Sequence, residues 1–408
     1  MSAVDVNDDR LILHEGLGGA IRAFAARVRV GDLGSLPVVL GLALIWVIFE
    51  FLNPTFLSAD NLVNLALQSA ATGTIAIGVV LVLLVGQIDL SIGSVSGLAA
   101  AILGVGLTTL QWPVWLAITV ALAAAAAIGL IYGLLFTRFA VPTFVITLAG
   151  LLGFLGLQLK ILGANGSINL PPNASIVRFA TSAFLPGWSS YCLAFIVAAG
   201  LLASQSGRRR RRAVAGLSTE SMALVLIKSV LLLALLLVAA WYLSTNRGIP
   251  LMFVLFVALI VLTEFFLART KWGHAIYAVG GNVEAARRAG INVDHVYISV
   301  LMLGTIFAAA GGLLASARLT TATLSSGGGD TNLVAIAAAV IGGTSLFGGR
   351  GSAYSALLGI VVLQSISSGL SLLNLDSSVR YMITGTVLLV AVIIDSLSRR
   401  SRATHGQA

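Results

Sequence analysis

Chemistry is scarce along this chain, and what there is gathers into three short polar stretches. The first joins two apolar blocks and reads Gln87, Ile88, Asp89, Leu90, Ser91, Ile92, Gly93, Ser94. The second lies late in the chain and runs Ile341, Gly342, Gly343, Thr344, Ser345, Leu346, then Gly348, Gly349, Arg350, Gly351, Ser352. Asp89 is an ionisable residue at the end of an apolar block, a functional candidate by default. Two readings stay open for it. Its carboxylate could cap a helix beginning near Leu90 and take up free backbone donors, or it could line a path for a polar solute. Gln87, Ser91, Ser94, Thr344 and Ser345 offer amide and hydroxyl groups to the same path, and the hydroxyls could equally bond their own helix carbonyls. In both stretches a glycine- and hydroxyl-rich break separates two apolar runs. Broken segments at matching places in two halves of a chain mark the substrate path of many transporters.

The third stretch runs through Gly280, Gly281, Asn282, Val283, Glu284, Ala285, Ala286, Arg287, Arg288, Ala289 and Gly290. Asn282 is a natural N-cap, and Glu284 falls in the first turn, where a carboxylate suits the helix dipole. Ala285, Ala286 and Ala289 favour helix with little bulk, and Gly290 ends it. The spacing predicts a short surface helix with a small-residue face that a partner's cleft can grip.

Other chemistries find no residues. No GxxxxGK[ST] phosphate loop is present, His14, His274, His295 and His405 fit no metal spacing, and the single Cys192 excludes internal disulfides. No nucleophile–base pair or paired carboxylate occurs. A proton- or sodium-coupled transporter wants carboxylates within its spans; Asp89 and Glu264 come close to this, and the shortage argues against coupling by protons.

The elements that must carry these stretches follow from composition. Of 408 residues, 58% are hydrophobic and 10% charged, against roughly 25% charged in soluble domains. Apolar residues cluster at 37–52, 62–85, 91–110, 114–136, 141–162, 191–203, 222–243, 249–267, 296–316, 333–347, 352–373 and 381–397. Many of these blocks have the length that crosses about 30 Å of hydrocarbon as a helix. Backbone groups in lipid must pair within their own segment, and the alternating strands of a barrel are absent, so an all-α polytopic membrane protein with about 10–12 transmembrane helices is expected. The net charge of +9 comes from arginines in alternate gaps: Arg138, Arg208–Arg212, Arg269, Arg287, Arg288, Arg350, Arg399 and Arg400. That is the positive-inside pattern rather than a nucleic-acid surface, and it places both termini in the cytoplasm. Residues 1–36 lack the apolar core of a signal peptide; a helix lying on the membrane surface and an unstructured tail both remain open for them. The expected organisation is therefore a 1–36 tail, a 37–398 membrane domain containing a cytoplasmic loop at 268–295, and a 399–408 tail. Gly93/Gly97 and Gly129/Gly133 have the spacing of close helix contacts. Arg208–Arg212 are expected to anchor topology and meet anionic lipid.

Glu284-Ala285-Ala286 followed after three residues by Gly290 resembles the EAA-xxx-G coupling loop of bacterial ABC-importer permeases. The wider string from Gly280 to Val293, the break from Ile88 to Ser94 and the break from Ile341 to Ser352 are similar to the ribose/xylose branch of those permeases, over about residues 52–400. The extra apolar pair around the arginine run, Asn246-Arg247-Gly248-Ile249-Pro250 and Asp395-Ser396-Leu397-Ser398-Arg399-Arg400 resemble the xylose type within it. Gln87 departs from the branch, which tends to have Gly or Glu there. The resemblance implies a translocation subunit, not an enzyme, in a bacterial inner membrane, with broken segments and pseudo-repeated halves. It implies a second permease copy, an ATPase subunit that holds ATP and Mg²⁺, and a periplasmic or lipid-anchored binding protein that delivers a monosaccharide. This chain itself would carry no cofactor. A secondary sugar transporter without an ATPase is the alternative.

Overall fold

The computed structural model describes residues 36–217, 219, 221–328, 330–376, 378–379, 382–383, 385–386 and 389. The expected tails and the Asp395–Arg400 string lie outside them. Fourteen helices occur among the described residues. Eight are long and apolar enough to cross a membrane, and three shorter apolar helices accompany them.

The chain divides into two compact units, Phe184–Ile249 and Ser35–Ala183 together with Pro250–Leu397. In the larger unit α1 (Leu36–Leu52), α2 (Ala59–Leu84), α3 (Ile92–Thr108), α4 (Val114–Phe139), α5 (Thr143–Leu162) and the short α6 (Ser175–Thr181) come first. The smaller unit holds α7 (Gly187–Val214) and α8 (Met222–Ser244). The larger unit resumes with α9 (Leu251–Arg269), α10 (Lys271–Gly281), α11 (Val283–Arg288), α12 (Val293–Leu319), α13 (Thr331–Ile341) and α14 (Tyr354–Leu372).

At the centre of the larger unit stands α2. Its most apolar window is 89% buried, whereas those of α4 and α5 are 28% and 22% buried, so α2 is the core helix and the other two turn most of their surface outward. Lipid is as apolar as leucine, so helices here associate through close packing and interhelical hydrogen bonds rather than water expulsion. The sequence supplies both. Gly129 and Gly133 of α4 let the backbone of α12 in: a Cβ would come within 2.5 Å of Met302 Cα at the first and 2.7 Å of Ile298 Cα at the second. Thr305 Oγ1 of α12 donates to Ala125 O of α4 at 2.8 Å. On another side, Trp46 Nε1 of α1 donates to Ser365 Oγ of α14 at 2.9 Å, and Ser368 Oγ of α14 donates to Asn61 Oδ1 of α2 at 2.8 Å. Gly93 and Gly97 meet the 324–328 turn as well as helices: a Cβ on Gly93 would lie 2.5 Å from Gly327 O and 3.3 Å from Asn332 Cβ of α13, and one on Gly97 would fall on Ser326 O and come within 2.5 Å of Gln158 Oε1 of α5. A short antiparallel pair, Ser167–Asn169 against Thr321–Thr323, precedes that turn. Gln158 Nε2 of α5 pins it by donating to Thr323 O and Ser326 O.

In the smaller unit α7 and α8 pack on each other. Ser190, Ala194 and Ala198, spaced by four, are the buried residues of α7. The arginine run is not a loop: Arg208–Arg212 continue α7, which has 28 residues. Arginine is a good helix former, and the helix runs through Gly207 and ends just before Gly216. The helix is therefore about 42 Å long, well over the ~30 Å hydrocarbon core.

Candidate functional site: two chain breaks beside a short presented helix

The first break, residues 85–91, follows α2, and the second, residues 342–353, joins α13 to α14. The structure brings them together. Gly349 N donates to Leu84 O at 2.9 Å. A Cβ on Gly348 would lie 2.8 Å from Gly86 N. Gly348 and Gly349 have φ of +85° and +72°, a region that side chains with a Cβ resist. Backbone thus meets backbone with nothing between.

Within the first break the polar groups mostly serve one another. Asp89 is buried, and its Oδ1 accepts from both Ser91 N and Ser91 Oγ at 2.7 Å. The helix begins at Ile92 and its cap position is Ser91, so Asp89 closes the turn just ahead of α3 rather than capping it. Tyr132 Oη of α4 donates to Ser91 Oγ at 2.8 Å. Ser94 Oγ donates to Leu151 O of α5 at 2.9 Å, and Thr143 Oγ1 donates to Gln87 Oε1 at 2.6 Å. In the second break Ser345 Oγ accepts from Phe347 N at 3.1 Å, and Ser345 N donates to Arg350 O at 2.9 Å. No hydrogen bond among the described residues joins Gln87, Asp89, Ser91 or Ser94 to Thr344 or Ser345.

Two of the six candidates keep a buried atom without a partner, Asp89 Oδ2 and Thr344 Oγ1. An unmet buried polar atom costs about 1–3 kcal/mol; Ser69 Oγ, Gln158 Oε1, Gln205 Oε1 and Arg318 Nε share this state among the described residues, so it does not by itself mark a path. Asn332, at the start of α13, is another such case and lies beside the first break. Its Nδ2 donates to Leu90 O at 2.8 Å while its Oδ1 is unpartnered. The sequence did contain a signal for it: an amide directly before an apolar run, in the half that carries the second break.

The third stretch forms the expected helix, α11. Asn282 ends α10 and caps α11, its Oδ1 accepting from Ala285 N at 2.9 Å. Glu284 pairs with Arg287 at 3.1 Å on the exposed surface, a contact of small energetic weight. Gly290 has φ of +82°, so the chain reverses there. The face differs from the expected one. Ala286 is only 3% exposed, turned into its own chain, whereas Ala285 and Ala289 are exposed. Trp272 Nε1 ties α10 to α12 by donating to Ser299 Oγ at 2.8 Å. Cys192 is exposed in α7.

Residues 61–392 match the family model described as branched-chain amino acid transport system / permease component. The chain belongs to this family. The permease is 36% identical to the xylose transport system permease protein of Escherichia coli K12, over 85% of its own length and 87% of that protein. It is 32% identical to the xylose transport system permease protein of Haemophilus influenzae, over 90% and 98% of the two chains. A ribose import permease protein of Bacillus subtilis is 30% identical over 90% and 94%. No solved structure matches. Eight apolar helices and these relatives make the permease a multi-pass inner-membrane protein of the sugar-permease kind.

Proposed function

We propose that this permease is the translocation subunit of an ATP-binding-cassette importer for a monosaccharide, D-xylose or a closely related sugar. The observation that carries the reading is the form of α11: a short helix capped at Asn282, ended at Gly290, and locked to its own chain by Ala286, with small residues outward. Such a helix fits a cleft on a separate ATPase subunit, which would hold ATP and Mg²⁺. A sugar-binding protein would dock on the opposite face, and a second copy of the permease would complete the pore. The relatives named for xylose and ribose support the substrate class.

In this reading the path runs along the two breaks, with Asp89 Oδ2, Thr344 Oγ1 and Asn332 Oδ1 as the free atoms that can bond sugar hydroxyls. Gln87, Ser91, Ser94 and Ser345 shape the breaks through the bonds they already make. The test is uptake of labelled xylose by proteoliposomes holding permease, ATPase and binding protein. Uptake is expected to need ATP inside the catalytically competent complex and to survive a proton ionophore; uptake driven by an ion gradient alone would establish the secondary-transporter alternative. Asp89→Asn keeps the acceptor for Ser91 and changes the free oxygen. Its half-saturating sugar concentration for uptake is expected to rise about tenfold or more, the loss of a charged hydrogen bond worth roughly 1.5–3 kcal/mol, with normal membrane levels. Unchanged uptake would remove Asp89 from the path.

The orientation follows the arginines, with both termini and the end of α7 cytoplasmic. Ala215→Cys, in a background with exposed Cys192 replaced by Ser, should react with a membrane-impermeant maleimide only in inverted vesicles. Labelling of intact cells would reverse the orientation.

A further inference from the structure

The segment that leads into α11 holds the second break by side chains as well as by backbone. Tyr277 Oη of α10 donates to Gly351 O at 2.9 Å. Glu264, one helix earlier on α9, accepts from Ala353 N at 2.8 Å through Oε2. Ala353 is the cap residue just before α14, so the carboxylate takes up a backbone donor at a helix N-terminus, where a negative charge is favoured. Burial, and then the neighbouring Glu264 carboxylate, push the Tyr277 phenol up to about 12, so it remains a donor at physiological pH.

The backbone makes the rest of the joint. A Cβ on Gly280 would fall on Leu84 O, the last residue of α2, and would come within 2.5 Å of Gly349 N. One on Gly348 would lie 2.8 Å from both Gly280 O and Gly86 N. The end of α10, the first break and the second break therefore share one contact point. Packed backbone without intervening side chains has little room to slide, and close-packed contacts transmit displacement.

We infer that Tyr277 and Glu264 are positioning residues that latch the second break to the α9–α10 segment, so that movement of α11 is passed to both breaks at once. The inference rests on reading α11 as the ATPase contact. Neither side chain touches the sugar or the nucleotide in this scheme; both act by holding residues 351–353. Their loss should leave the ATPase docked and turning over while the breaks no longer follow it.

The experiment measures sugar uptake and ATP hydrolysis in the same proteoliposomes of permease, ATPase and binding protein. Tyr277→Phe with Glu264→Leu removes both hydrogen bonds with little change of volume. Expected are normal membrane levels, normal co-purification of ATPase, near-normal hydrolysis, and a fall of about tenfold or more in sugar moved per ATP, within the range of coupling free energies between sites. Glu264→Gln keeps an acceptor for Ala353 N and should restore the ratio in the single variant. The latch is overturned if the double variant keeps the wild-type ratio, or if uptake and hydrolysis fall in proportion, as a general loss of folding would cause. Failure of the underlying reading has a different signature: Ala285→Trp would then leave ATPase co-purification intact.

Discussion

Ala285→Trp and Ala289→Trp are expected to leave the permease in the membrane at wild-type levels while abolishing ATP-driven uptake and co-purification of the ATPase. Ala285 on α11 and Ala289 at its C-cap are both exposed and lie one turn apart, so an indole there disturbs nothing inside the chain. It does occupy the space a cleft would need, and overpacking a close contact costs about 1–3 kcal/mol or more. Ala286→Trp should behave differently. Ala286 is buried against its own chain, so a large side chain there should unseat α11 and lower the amount of folded permease as well. Docking of the binding protein should survive the Ala285 and Ala289 variants, since that surface lies across the membrane. Wild-type uptake in both variants would reduce α11 to a solvated connector and take away the physical support for an ATPase partner.

Gly312→Val is expected to have the largest effect on folding. Gly312 of α12 lies directly on the backbone of α3: a Cβ there would fall on Ser96 O and come within 2.6 Å of Ser96 C and 2.8 Å of Ser96 Cα. The next residue back, Gly311, would meet Ala71 O of α2 at 2.7 Å. Two consecutive glycines thus seat α12 against two helices at once, and backbone atoms cannot rotate aside as a side chain can. In lipid no solvent effect would compensate for the helices moving apart, because their cohesion is the contact itself. The variant should accumulate at a small fraction of the wild-type level and unfold in detergent many degrees lower. As a control, Gly153→Val on α5 meets nothing within 4 Å and should be tolerated. Equal stability of the two variants would refute the packing of α12 on α3.

Much of this molecule was legible in the amino-acid order, and the legible parts share a physical origin. A segment in hydrocarbon must satisfy its own backbone, so length and apolarity alone define a span; eleven of the twelve apolar blocks correspond to helices among the described residues. The form of α11 was also readable. The bond from Ala285 N to Asn282 Oδ1 and the left-handed turn at Gly290 involve residues at most a few positions apart. Interactions that close within one turn leave their signature in the local string.

Tertiary structure decided what depends on distant partners. For Asp89 the sequence leaves a helix cap and a path-lining role both open; the helix starts two residues later than a cap at Asp89 requires, with Ser91 bonded to Asp89 and held from α4 by Tyr132. The outward face of α11 was not readable either. A six-residue helix of small and charged residues has no clear apolar stripe, and only its seat on the chain buries Ala286 and leaves Ala285 free. The meeting of the two breaks with Gly280, and the hold of Tyr277 on Gly351, join segments 68 residues apart and more. The sequence by itself determined that the chain is a bundle of apolar helices, where two of its runs break, and which short helix is capped at Asn282; the expected 10–12 spans became eight helices long enough to cross among the described residues, with three shorter ones beside them. Which break touches which helix, and which polar atoms are left without partners, was settled only when packing chose one set of neighbours from the many that glycine-rich backbones allow.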